Sequence, residues 1–416
     1  MDVLLDPRTG LVTRLVARRS HAVLHTVTAE LAATGRFAHT LGNPLAGGAS
    51  FTDPGRARRR ALGEAAERYA GHLVPHARLR HATWHDLTDA GEAAVDPDRL
   101  ALYSPAQHAR PGFPFAGLRR DDSLAWVIGQ ADGGRPVWVP ASLVWLAPGE
   151  HTLVRGRPAH LPIAAGIAAG PTLEAARRSA LAEVLERHAL ATAWHGGAAF
   201  PSMEGPALPV PAGAALAWHA VPNALGVPVV LCAATTPGGL LGVGCAAMSI
   251  EPAKSDGSVG SVASLESAGA ARSAAAEALR SLDALAEVAG GVPEWERPAG
   301  PLMPHREDRR YLDSYAPDLS DATDLLCTLQ LLADGRVAAA VRDRLGRGTA
   351  ETPSTALDLE VITVDLTTPD LAVLGLHVAR VVVPGLRSTG PAAYPFLGAG
   401  AEPLPGHVER SPVPHV

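Results

Sequence analysis

A chain of 416 residues with 47% hydrophobic and 19% charged side chains carries enough apolar mass for one sizeable core or two fused lobes, and reads as a globular protein. Thirty-six basic against 42 acidic residues leave a formal charge of −6, so no basic field draws it to nucleic acid or to an anionic membrane. Three cysteines, Cys232, Cys245 and Cys327, without a C-x-x-C pair, exclude a disulfide scaffold and a cysteine-rich zinc site and fit a reducing cytoplasm.

The first residues lack a basic stretch followed by an apolar one, so no secretory signal is expected. Residues 1–30 are short apolar runs between arginines and histidines, and 42–50 is Gly-rich and reads as turn. Asp53 and Pro54 suit an N-cap and the first helical position, which predicts a helix over 54–71. Residues 126–129 and 136–140 read as a hairpin around Asp132-Gly133-Gly134. Residues 163–170 are small and Gly-rich, and a second helix is predicted over 172–194. Strand-like runs at 227–232 and 240–248 flank Pro237-Gly238-Gly239; Pro228, Pro237 and the glycines prevent this most apolar tract from spanning a bilayer. A third, Ala-rich helix is predicted over 264–288, surface loop over 290–323, and β-branched strands near 361–365 and 378–383. The result is an α+β chain with mixed or antiparallel sheets, an N-terminal segment 1–39, a main domain 40–398 and an extended Pro-rich tail 399–416.

An internal repeat carries the chemistry. Residues 58–70 read RRRALGEAAERYA and residues 177–189 read RRSALAEVLERHA, identical at eight of thirteen positions. A fainter third copy around Glu277 keeps the first glutamate and places Arg280 where the second stood. Three-residue spacing puts Glu64 and Glu67 on one helical face, as it does Glu183 with Glu186 and Glu277 with Arg280. One such pattern alone is satisfied by a solvated face and the adjacent Arg68 or Arg187. Duplicated, the carboxylates suit hard divalent cations bound through oxygen, with arginines gripping phosphate bidentately.

Four blocks together resemble the YcaO family: A-L-G-E-A-A-E-R-Y at 61–69, G-I-A-A-G-P-T with A-L-A-E-V-L-E-R over 166–187, A-A-A-E-A-L-R at 274–280, and the late Val364-Asp365-Leu366-Thr367 with Val383-Pro384-Gly385-Leu386. The resemblance spans about 40–390. It implies an α+β fold particular to that family and an enzyme that uses ATP and magnesium to activate a backbone amide oxygen. In the azoline-forming branch a Cys, Ser or Thr side chain first adds to that amide. By resemblance Glu64, Glu67, Glu183, Glu186 and Glu277 would be magnesium ligands, and Arg187, Arg280 and Ser50 would contact the nucleotide. An amide oxygen is a poor leaving group, so its phosphorylation needs a γ-phosphate held in line with its charge neutralised, and no protein nucleophile.

Several positions depart from the family pattern. The 46–50 tract lacks the lysine of a G-G-K-G loop, Ala168, Pro171 and Ala175 stand at polar nucleotide-contacting positions with Glu174 one place away, and His188 replaces an aspartate. The tail ends Ser411-Pro412-Val413-Pro414-His415-Val416, a partial match to the P-x-P-x-P ending of azoline-forming members. If that tail docks, His415 or a carboxylate on Val416 is placed to assist proton transfer. The resemblance further implies a precursor-peptide substrate, a separate ThiF-like or winged-helix leader-binding partner, a downstream flavin dehydrogenase and a homodimer. Two alternatives stand beside azoline formation: a scaffold that binds peptide or a partner without turnover, and a thioamide-forming enzyme. The histidines near 72–85 lack an H-E-x-x-H pattern, no G-x-S-x-G elbow is present, and Cys232 and Cys245 suit core positions.

Overall fold

The computed structural model describes residues 2–20, 23–35, 44–248, 262–290, 302–348, 359–398 and 412–414, with side chains in the third long helix described from 269 onwards. Three sheets each lead into one long helix. The first sheet is a meander of Val12–Ser20, Leu24–Leu31 and Leu45–Ser50, followed by helix Pro54–His72. The second holds Arg80–Ala82, Leu124–Ala131, Pro136–Pro140, Ile362–Asp365, His377–Val382 and Ile167–Gly170, and from its last strand helix Leu173–His195 departs. The third runs Ser202–Met203, Ala215–Ala220, Val229–Thr235, Leu241–Ala247 and precedes helix Val262–Gly290. All pairings within the sheets are antiparallel.

The predicted helices hold to within a few residues. Asp53 takes the N-cap position of the first, and the Thr172 hydroxyl caps the second by accepting the Ala175 N–H at 3.1 Å. Both bury alanines, Ala57, Ala61, Ala65 and Ala66 in one and Ala176, Ala180 and Ala189 in the other, beside larger side chains such as Leu62, Leu185 and Trp194. Small faces let the helix axes lie close to the sheets. Each helix packs on the strand that precedes it and also on the equivalent strand of the next unit. The first reaches Ile167–Gly170, the second Leu241–Ala247, and the third returns to Leu45–Ser50, so the contacts close into a cycle.

That close packing explains where the sequence reading departs from the structure. The 42–50 and 163–170 tracts, read as loops, contain strands Leu45–Ser50 and Ile167–Gly170. Their glycines serve the approach of a helix rather than a turn. A Cβ on Gly48 would lie 2.0 Å from the Ala57 carbonyl oxygen, and one on Gly170 would lie 2.7 Å from the Ala176 nitrogen. Gly244 of the third unit is equivalent, with its Cβ position 2.2 Å from the Ala274 carbonyl oxygen. Residues 1–39 supply two strands that share a sheet with Leu45–Ser50, hydrogen-bonded across the boundary at 39. The 302–323 part of the expected surface loop is anchored by buried Tyr311, Tyr315 and Leu319, and 291–301 lies outside the described residues. In the tail, Pro412–Pro414 are buried and Val413 joins the core beneath the third sheet. The three cysteines are buried thiols that form no disulfide, and among the described residues no helix is long and apolar enough to cross a membrane.

Gly244→Ala should therefore destabilise the protein by about 1–3 kcal/mol through overpacking, read as a lower urea midpoint at unchanged m-value.

Candidate functional site

The repeated glutamates face the strands, and backbone amides hold them there. The first glutamate of each copy turns back onto its own unit. Glu64 Oε2 accepts the Gly47 N–H at 2.9 Å, Glu183 Oε2 accepts the Gly166 N–H at 2.9 Å, and Glu277 Oε2 accepts the Cys245 N–H at 3.3 Å. The second position of each copy reaches the next unit. Glu67 Oε1 accepts the Ala169 N–H at 2.7 Å, and Glu186 accepts the N–H of Ala247. Arg280 completes the cycle against Gly47, where a Cβ would stand 2.3 Å from its Nη2. Residues from three helices far apart in sequence are thus brought to one cyclic arrangement.

Positive charge is scarce around these carboxylates. Arg68 forks onto Glu64 Oε1 through Nη2 at 2.7 Å and Nε at 3.2 Å. Arg187 lies 3.6 Å from Glu183 and 3.5 Å from Glu186. Burial opposes the Arg187 charge, but Glu186, Glu183 and Glu277 outweigh it and hold the guanidinium above the ordinary arginine range. Burial pushes the Glu67 carboxyl up to about 8, partly offset by the Ala169 N–H, while Glu183 and Glu64 add to the rise. Burial likewise raises Glu183, against the pull of Arg187, and raises Glu186 well above the carboxylate range. Glu186 Oε1 is buried without a hydrogen-bond partner. As they stand, no three His, Cys, Asp or Glu side chains among the described residues are grouped to hold one metal ion.

The other expected site residues fall differently. Arg280 is exposed and forms no ion pair among the described residues. Ser50 is 7% exposed, and its hydroxyl accepts the Asp53 N–H at 3.2 Å at the turn into the first helix. Glu174 is mostly exposed and lies 3.6 Å from Arg177. His188 Nδ1 accepts the backbone N–H of Arg387 at 2.9 Å, and burial, helped by Arg387, pulls its pKa down to about 4. His415 and Val416 lie outside the described residues.

Two arginines of the site were not singled out from the sequence. Arg60 stands four residues before Glu64, where the other copies have Ser179 and Ser273. Its Nη1 donates to the Ala49 carbonyl and its Nη2 to Ser273 Oγ, both at 3.1 Å, which sets a cation beside the strand that lacks a lysine. Arg380 is buried beside Glu183, and its one legible signal is a lone charge inside the apolar run 378–383.

A family model described as YcaO cyclodehydratase, ATP- and Mg2+-binding, matches residues 49–387. The chain belongs to the YcaO family. ATP and Mg2+ are the cofactors that this membership brings. No curated protein matches the chain. Among solved structures it is similar to a heterocyclase in complex with substrate and cofactor, at 22% identity and TM-score 0.64, over 93% of this chain and 51% of that one. It is also similar to the E. coli microcin synthetase McbBCD complex, at 11% identity and TM-score 0.60, over 97% and 96% of the respective chains. A third similarity is to YcaO from Methanopyrus kandleri bound with AMPPCP and Mg2+, at 18% identity and TM-score 0.50, over 90% and 86%. At these identities the likeness is one of fold, and this YcaO chain spans about half the length of the first heterocyclase.

The donor set fits magnesium. Its atoms are all carboxylate oxygens, the chemistry hard divalent cations select; burial raises Glu67, Glu183 and Glu186, and Glu186 Oε1 has no hydrogen-bond partner.

Because Arg187 is the cation shared by Glu183 and Glu186, Arg187→Ala should cost about 3–5 kcal/mol of stability in the metal-free protein, measured by chemical denaturation.

Proposed function

We propose that this YcaO chain catalyses ATP- and Mg2+-dependent cyclodehydration of Cys, and of Ser or Thr where present, in a ribosomally made precursor peptide, giving azolines. The observation that carries the reading is the cycle of glutamates from three helices, each held on a neighbouring backbone N–H, with Glu67, Glu183 and Glu186 deeply buried. Glu64, Glu67, Glu183, Glu186 and Glu277 would hold the magnesium, and Arg187 and Arg280 the nucleotide phosphates. When bound, Mg-ATP supplies an electrophilic phosphoryl group for the amide oxygen of the peptide.

The chain's own residues have the remaining tasks. The backbone N–H bonds fix one oxygen of Glu67 and of Glu183, and the other oxygen of each would be the one offered to a cation. Arg187 keeps its charge beside the carboxylates and is positioned to meet the charge that grows on the transferred phosphoryl oxygens. The burial of Pro412–Pro414 supports a docked tail, with His415 as the proposed proton-transfer group. The related structures, one a heterocyclase with substrate and one a McbBCD complex with pro-MccB17 bound, support a peptide substrate presented within an assembly. For this chain the proposed partners are a separate leader-binding protein, a downstream flavin dehydrogenase and a second copy of itself.

A second reading, a scaffold that binds peptide without turnover, is favoured by Ala168, Pro171 and Ala175, which bring no polar side chain to the strand, the turn and the first turn of the second helix. Reconstitution with precursor and partner separates the two. Wild type should remove one water per ring with matching phosphate release, and Glu183→Ala should lower the rate by at least about 100-fold. Replacement of oxygen by sulfur in the product would move the reading to thioamide formation. Absence of both turnover and Mg-ATP stabilisation would leave the scaffold.

A further inference from the structure

Strand His377–Val382 carries one arginine among buried apolar side chains. Arg380 is 3% exposed, its Nη1 donates to the Ile163 carbonyl at 2.7 Å, and its Nε is buried with no hydrogen-bond partner. Glu183 is the carboxylate that acts on it, from beyond ion-pair distance. A guanidinium taken out of water without a counter-charge is costly, and such groups persist where something negative arrives to meet them.

The surroundings suggest what arrives. Arg380 lines a cleft together with Arg187, Arg387 and Ser388, while Leu102, Ile163 and Val184 contribute to its apolar wall. Arg387 is held by its backbone N–H on His188 Nδ1, and its guanidinium forms no ion pair among the described residues. Two guanidiniums without a carboxylate partner therefore converge with Arg187, the arginine next to the glutamate cycle. A carboxylate ligand would satisfy one planar fork. Three cations and a hydroxyl suit a tetrahedral oxyanion with several acceptors.

We propose that this cleft is a phosphate subsite in which Arg380 and Arg387, with Arg187, grip the oxygens of a phosphate group while the apolar wall packs against the body that carries it. The nucleotide as the source of that phosphate rests on the function proposed above; the guanidinium arrangement does not. Free phosphate and the terminal phosphate of a nucleotide share this chemistry, and the test separates them.

The full chain is compared with Arg380→Gln, Arg380→Lys and Arg387→Gln by thermal melting without ligand and in titrations with inorganic phosphate, with ADP and with ATP. Ligand-free Arg380→Gln should melt no lower than wild type, because an uncompensated charge is removed, and a merely structural arginine would not behave so. Its apparent affinity for phosphate should fall at least tenfold, Arg387→Gln should show the same direction, and Arg380→Lys should recover part. An effect on ATP and ADP alone assigns the subsite to the nucleotide, and an effect on all three assigns it to a phosphate that can also be free. Phosphate, ADP and ATP affinities unchanged in both Gln variants would overturn the proposal. Peptide turnover by wild type alongside unchanged affinities would sink this subsite and spare the cyclodehydratase reading. Arg380-dependent phosphate binding without any turnover would do the reverse.

Discussion

The structure depends on carboxylates that accept hydrogen bonds from strand backbone. A glutamate facing a sheet is costly unless its oxygens are met, and here amides of Gly47, Gly166, Ala169, Cys245 and Ala247 meet them. Those amides are available because the bonded positions lie at strand ends or on faces where a ladder partner is absent. The same bonds orient the acids, so the requirement to satisfy a buried polar atom and the requirement to aim a ligand are met by one contact. The glycines and alanines follow from it. Only small residues bring the helix axis near enough for a glutamate side chain to reach the strand beneath.

Much of this was legible in the sequence, for identifiable reasons. The three helices announce themselves through periodic alanines and charges and through Asp53-Pro54 and Thr172 at their starts. The duplicated E-x-x-E-R placed four of the carboxylates on equivalent faces before any coordinates, and the third copy gave Glu277 and Arg280. The strands Leu45–Ser50 and Ile167–Gly170 were hidden because glycine signals a turn and a close helix approach alike. Strands Val12–Ser20 and Leu24–Leu31 were missed because their alternation is interrupted by arginines on the exposed face. Arg60 and Arg380 could not be weighed from sequence: an arginine in a helix reads as surface, and the significance of one inside a strand depends on which carboxylates fail to lie beside it.

The third copy differs in kind from the other two. Where Glu67 and Glu186 extend to the next strand, Arg280 occupies the corresponding place at Gly47. The cycle is therefore asymmetric in charge, acidic at two of its junctions and basic at the third. Arg60, bonded to both Ala49 and Ser273, strengthens that basic junction from the first helix. An asymmetric ligand such as a metal-bound polyphosphate finds a matching gradient there, metal towards the acids and phosphate oxygens towards the guanidiniums.

The cyclic order of contacts also has a bearing on how the chain folds. The first and third units can assemble their sheets from nearby sequence, but the second sheet pairs Leu124–Ala131 with Ile362–Asp365 and Ile167–Gly170 with His377–Val382, and the junction of Gly47 with Arg280 joins residues from the first and last units. Loop-closure entropy makes such distant pairing slow, and contacts of this separation form after local ones. One of these long-range contacts, Gly47 with Arg280, is thus part of the site itself. Nucleotide affinity then reports the joining of the first and last units rather than the folding of any one unit, and a ligand that bridges the basic junction stabilises that joining.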